Sequence, residues 1–155
     1  MSYTFGQPCL STDLSFERMA QDETRTFNRE DAEMQAAITT AKKTFRQFLD
    51  AFFNPKETQK SFLTKAAFDT GERIEHIWLA DLDFSGERPR GVIASEPRAS
   101  TLRFKQAVDF DPSQITDWMY VDEGRLIGGF TTRVIRDRMS TEERRAHDKQ
   151  APYKF

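Results

Sequence analysis

Two histidines, one cysteine and a set of aspartates near turns are the side chains of this 155-residue sequence whose types could support chemistry. His76 follows Glu75 in an alternating stretch, where an imidazole can serve as a general base or a ligand contact. Neighbouring strand residues face opposite ways, so Glu75 cannot orient His76. A strand histidine bonded to a backbone carbonyl fits the same pattern. His147 lies in a charged stretch and reads as solvated. Two histidines and Cys9, far apart in sequence, give no zinc spacing. Cys9 has no base nearby, so no nucleophile is expected there. Asp81 and Asp83 share a strand face and, with Asp109 or Asp111, could hold a hard cation. Aspartates beside a hairpin are also ordinary turn residues, and no metal is assigned.

Trp118 and Tyr120 share one strand face. They belong to a core, or become binding anchors if that face is open. Gly124 to Gly129 (GRLIGG) is neither a dinucleotide fingerprint nor a phosphate loop. Its double glycine lets a helix start pack closely on a sheet. Arg125 or Arg133 at such a helix start would be the cation of a weak anion site. No catalytic residue and no cofactor site is assigned.

The elements that must position these residues follow from periodicity. Residues 1–29 are polar, with isolated Phe5, Phe16 and Phe27, and read as an arm. Residues 30–53 carry Met34, Ile38, Ala41, Phe45, Phe48, Leu49 and Phe52 at spacings of three and four, the mark of a helix with one apolar stripe. Asn28 can cap it, and Asn54-Pro55 stops it. From residue 61 the period becomes two, and strands are expected over 61–68, 74–84, 90–95, 104–110 and 117–121. In the second of these, His76, Trp78, Ala80 and Leu82 fall on one face. After Gly124 the pattern turns helical, with Leu126, Phe130, Val134 and Ile135 on one face. Ser140 followed by Glu143 is a capping box for a last helix, ended by Pro152.

The expected organisation is therefore an arm over 1–29 and one α+β domain over 30–155. That domain has a helix at 30–53, a bent antiparallel sheet of about five strands over 61–122, and helices over 126–150. Closure into a small SH3-like barrel is an option for such short strands.

Charge is uneven along the chain. The net charge is −2, yet residues 69–124 carry twelve acidic and six basic side chains, and residues 125–155 carry four acidic and eight basic. The balance argues against a general nucleic-acid binder. The acidic middle suits a cationic partner, because a patch of one sign steers association. No apolar run reaches the roughly 20 residues of a bilayer helix. The first residues have neither a basic nor an apolar region, so a cytoplasmic location is expected.

Three stretches carry a resemblance: FLTKA with EHIWL after it, DWMYVD, and GRLIGGFTTR running into Arg136-Asp137-Arg138. With these, residues 61–145 resemble the YegJ-like bacterial family (domain of unknown function 2314). The resemblance implies a bacterial origin and a small α+β fold, and no activity. The arm and long helix read as this chain's own feature or a variable region. Similar small domains act as immunity proteins that neutralise toxins. The reading of the whole is a non-catalytic module that binds another protein, with no membrane, nucleic-acid or cofactor role and no assignable oligomeric state. Its candidate contacts are Asp81, Asp83, Asp109, Asp111, Trp118, Tyr120, His76 and Arg133. The rival is an enzyme or small-ligand binder with a pocket around His76, Trp118, Tyr120 and Arg133.

Overall fold

The computed structural model describes residues 31–155. The expectations for the arm, for Cys9 and for Asn28 as a cap fall outside the described residues. Helix α1 spans Ala32–Phe53, with Asp31 as its N-cap accepting from Met34 N at 3.1 Å. Asn54 caps the other end, where the following Pro55 cannot continue the helix. The stripe seen in the sequence is the buried face: Met34, Ile38, Ala41, Phe48 and Phe52 are buried, with Phe45 and Leu49 packed partly against them.

Six strands follow instead of five: β1 (Gln59–Asp69), β2 (Ile74–Asp83), β3 (Arg90–Ile93), β4 (Ala107–Asp109), β5 (Ile115–Asp122) and β6 (Arg125–Gly128). They form one antiparallel sheet in the order β4-β3-β2-β1-β5-β6. β4 and β6 lie at opposite ends, so the sheet is open and the barrel option is not realised. The strand expected over 104–110 shrinks to three residues, because Lys105 takes a left-handed turn at φ 67°.

The larger correction concerns residues 125–128. The periodicity places Leu126 on a helix face, but it pairs with Val121 in β6. Gly128 and Gly129 have φ of 78° and 63°, outside the right-handed helical region. The helix therefore starts only at Phe130. This helix, α2 (Phe130–Asp137), is followed by α3 (Thr141–Gln150). The capping box at α3 is realised, with Ser140 Oγ accepting from Glu143 N and Glu143 returning to Ser140 N. No helix of the described residues is long and apolar enough to cross a membrane.

Two cores flank the sheet. Beneath α1 lie Phe62, Ala66, Ile77, Leu79, Leu82, Trp118 and Tyr120. On the opposite face lie Leu63, Trp78, Ala80, Ala94, Met119 and Val121, with Tyr153 packed on them. Leu82 thus shares a core with Ile77 and Leu79, and not the expected face of Trp78 and Ala80. The cause is a bulge: Asp81 has φ 47°, and the β2–β3 register shifts between Ala80 and Asp83. One inserted residue moves every later side chain to the other face.

Candidate functional site

Two charged regions emerge, at opposite ends of the sheet. At the β4 end, cross-strand pairing places Asp83, Arg90 and Asp109 side by side on β2, β3 and β4. Arg90 Nε lies 2.9 Å from Asp109 Oδ1. Asp83 Oδ1 accepts from Ser85 N at 2.8 Å and Ser85 Oγ at 2.5 Å. These Ser85 donors, with Arg90 nearby, hold the Asp83 carboxyl below the ordinary carboxylate range. Asp111 begins a single 3-10 turn, Pro112–Gln114, and accepts from Ser113 N at 2.8 Å, which also lowers its carboxyl. Asp81 stands on the bulge, half-buried. Arg90 occupies the space between Asp83 and Asp109 where a cation would sit. Among the described residues no group of three or more His, Cys, Asp or Glu side chains could hold a metal ion.

The other four candidates do not converge. Trp118 and Tyr120 are buried beneath α1: Trp118 stacks with Tyr120 and donates from Nε1 to Ala41 O at 3.1 Å. They are core anchors rather than surface ones. His76 falls on the opposite face by strand alternation with Trp78, its Nδ1 3.2 Å from Thr116 Oγ1. Arg133 sits in α2 and donates to Gly128 O at 3.0 Å and Leu126 O at 2.9 Å. The sheet itself therefore separates the members of the rival pocket.

The second region, at the β5–β6 end, was missed by sequence reasoning. Trp78, Lys65 and Asp117 pair across β2, β1 and β5 and are all buried. Asp117 Oδ1 accepts from Trp118 N at 2.8 Å and Phe130 N at 3.1 Å. Its Oδ2 accepts from Thr131 N at 2.9 Å and from the Thr131 hydroxyl. Lys65 Nζ donates to Thr131 Oγ1 at 3.0 Å and lies 4.8 Å from the Trp78 ring centroid. Asp117 thus caps α2 from outside the helix, where Gly129 has no side chain to do so. Burial pushes the Asp117 carboxyl up, while the Lys65 ammonium and the Thr131 and Trp118 donors pull it back.

Glu75 is the second buried acid among the described residues. Glu75 accepts from Arg98 N at 3.0 Å and Ala99 N at 3.1 Å, fixing the loop after β3. The sequence signal for Lys65, Glu75 and Asp117 is a charged side chain within a strand, where burial demands a partner.

The basic end of the chain is largely committed internally. Arg136 pairs with Asp148 at 2.7 Å, and Arg138 pairs with Asp31 and Glu33 across to α1. Arg144 donates to Asp137 O at 3.0 Å, satisfying a carbonyl at the end of α2.

The comparisons agree with this frame. The family model described as "Uncharacterized protein conserved in bacteria (DUF2314)" matches residues 31–155, and the chain belongs to that family. The match includes α1, so the long helix is a family element and not a feature of this chain alone. A putative ankyrin repeat protein of Neisseria meningitidis serogroup B is 34% identical over 127 residues, 76% of this chain and 50% of that protein. The uncharacterized protein YegJ of Escherichia coli K12 is 32% identical over 99 residues, 63% of each chain. The chain thus spans about half of the first relative and under two thirds of the second. No solved structure matches.

Proposed function

We propose that this chain is a non-catalytic protein-binding module that receives a cationic partner at the β4 end of the sheet, with toxin-neutralising immunity as its specific form. The observation that carries the reading is the convergence there of Asp83, Asp109 and Asp111, with Asp81 and Glu87 close in sequence and Arg88 and Arg90 as the basic side chains of residues 81–90. Turn donors keep Asp83 and Asp111 ionised and fixed, so their charge needs no reorganisation on binding. The basic end adds little for nucleic acid, because Arg133, Arg136, Arg138 and Arg144 hold other parts of the chain. A relative that carries ankyrin repeats by name is in keeping with an interaction setting.

The test is association kinetics against the protein product of the neighbouring reading frame, at low and high salt. Reversing Glu87 and Asp109 to Lys is expected to slow association more than it speeds dissociation, because rim charges act on the on-rate. The wild-type rate is expected to fall as salt shortens the Debye length below ~8 Å. Reversal of Glu142 is the control; Glu143 is unsuitable because it closes the capping box of α3. Association indifferent to salt and to both reversals defeats the reading.

A further inference from the structure

The outer edge of β6 is covered by two different devices. Arg133 covers the carbonyls of Leu126 and Gly128. The segment Ala151–Phe155 takes the start of the edge: Leu126 N donates to Lys154 O, and Lys154 N donates to Gly124 O, both at 2.8 Å, in a parallel bridge. On either side of Lys154, Tyr153 enters the core of Leu63, Trp78 and Met119, and Phe155 packs on His147 with ring centroids 5.6 Å apart. The segment therefore binds as an added strand does, with main-chain pairing between two side chains seated two residues apart.

The seat is imperfect. The His147 side chain is 8% exposed, and neither ring nitrogen has a hydrogen-bond partner. Asp148 Oδ1 is 3.6 Å from Nδ1, beyond hydrogen-bond reach, and is bound by Arg136, which itself lies over the Phe155 ring at 4.5 Å. An imidazole stripped of water, with no hydrogen bond and only the longer contact to Asp148, penalises the closed seat and would be relieved by its opening.

We propose that Ala151–Phe155 is a releasable strap over a strand-accepting edge, and that an extended peptide with aromatic side chains two residues apart can take its place on β6. The inference is independent of the anionic β4 end. Replacing β6 pairing in trans would leave Arg133 in position and use the groups of Gly124 and Leu126 that the strap now holds.

Amide hydrogen exchange on the full chain tests the strap. Leu126 and Lys154 amides are expected to exchange faster than the Leu79 amide of the central sheet. His147→Leu, which removes the two buried nitrogens that lack a hydrogen bond, is expected to slow both by about tenfold. Equal exchange at Leu126, Lys154 and Leu79, or no slowing in H147L, overturns the proposal. The second arm uses Lys154→Pro, which removes the donor to Gly124, and a synthetic peptide of sequence APYKF as probe. The peptide is expected to bind K154P and protect its Leu126 amide, and to bind the wild type at least tenfold more weakly. A folded K154P that ignores the peptide overturns the strand-accepting edge, whatever becomes of the anionic surface.

Discussion

The β4 end and the β6 end of the sheet are both dense in charge, but they secure it in opposite ways. At the β4 end the carboxylates bind within their own turns, as Asp83 to Ser85 and Asp111 to Ser113, or across a single strand pairing, as Asp109 to Arg90. All three remain in contact with water. At the β6 end one buried carboxylate, Asp117, gathers donors from Thr131 and Phe130 far along the chain, and Lys65 joins from the central strand. Screening by water makes the first arrangement replaceable, whereas burial makes each member of the second depend on the others. A surface meant for a partner suits the first; a joint that fixes a helix on a sheet suits the second.

The largest expected effect separates the two ends directly. Asp117→Ala strands the Lys65 charge and the first N–H groups of α2 in a buried site, and should cost about 3–5 kcal/mol in urea unfolding. Arg90→Ala breaks a pair whose side chains are 59% and 54% exposed, and should cost about 0.2–1 kcal/mol. Similar losses at both positions would erase the distinction.

Glycine gives the next contrast. A Cβ on Gly128 would lie 2.4 Å from Trp118 O, and its φ of 78° is already left-handed. Gly128→Ala should therefore cost about 3 kcal/mol from strain and overpacking together. At the β4 end, a Cβ on Gly86 would meet Arg88 O at an ordinary 3.7 Å. Gly86→Ala should stay within about 0.5 kcal/mol. Thermal unfolding of the two variants measures the difference.

Titration should run in opposite directions at the two ends. Carboxyl chemical shifts are expected to place Asp83 and Asp111 below the ordinary value of 3.8 and Asp117 above it. Depressed groups contribute stability above 3.8 that is lost as pH falls through their folded values. For Asp117 the sign reverses: its contribution is full below 3.8 and declines as pH rises through its raised value. A depressed Asp117 would mean that the Thr131 and Lys65 partners outweigh burial.

The same division explains what could be read in advance. The stripe of α1, the capping box at Ser140 and Glu143, and the turn aspartates are local patterns, and spacing alone exposes them. The family resemblance was visible in DWMYV and GRLIGG, but the role of Asp117 was not, because its partners lie across the fold. Helical periodicity across Leu126 and Phe130 concealed β6, since two left-handed glycines between them reset the phase. The bulge at Asp81 likewise moved Leu82 to the other core, a change that no alternation count contains. His76, Trp118, Tyr120 and Arg133 looked like a constellation only until pairing assigned them to different faces.

The smallest effect tests burial of polarity from the other side. Thr64 and Lys65 are neighbours in β1 and both are buried, but they face opposite sides of the sheet. Lys65 reaches Thr131, whereas the Thr64 hydroxyl has no hydrogen-bond partner. Thr64 sits between Leu79 and Trp118 in the strand register, on the side packed by α1. A hydroxyl there incurs desolvation with nothing in return, so Thr64→Val, which keeps the branched shape, should be neutral or stabilise by up to about 1 kcal/mol. At the β6 end the equivalent removal of a hydroxyl, Thr131→Val, should destabilise, because Asp117 and Lys65 both lose a partner. Paired urea unfolding of the two valine variants decides the matter. If Thr64→Val costs as much as Thr131→Val, burial by itself and not the completeness of the network sets the weight of a polar group in this sheet.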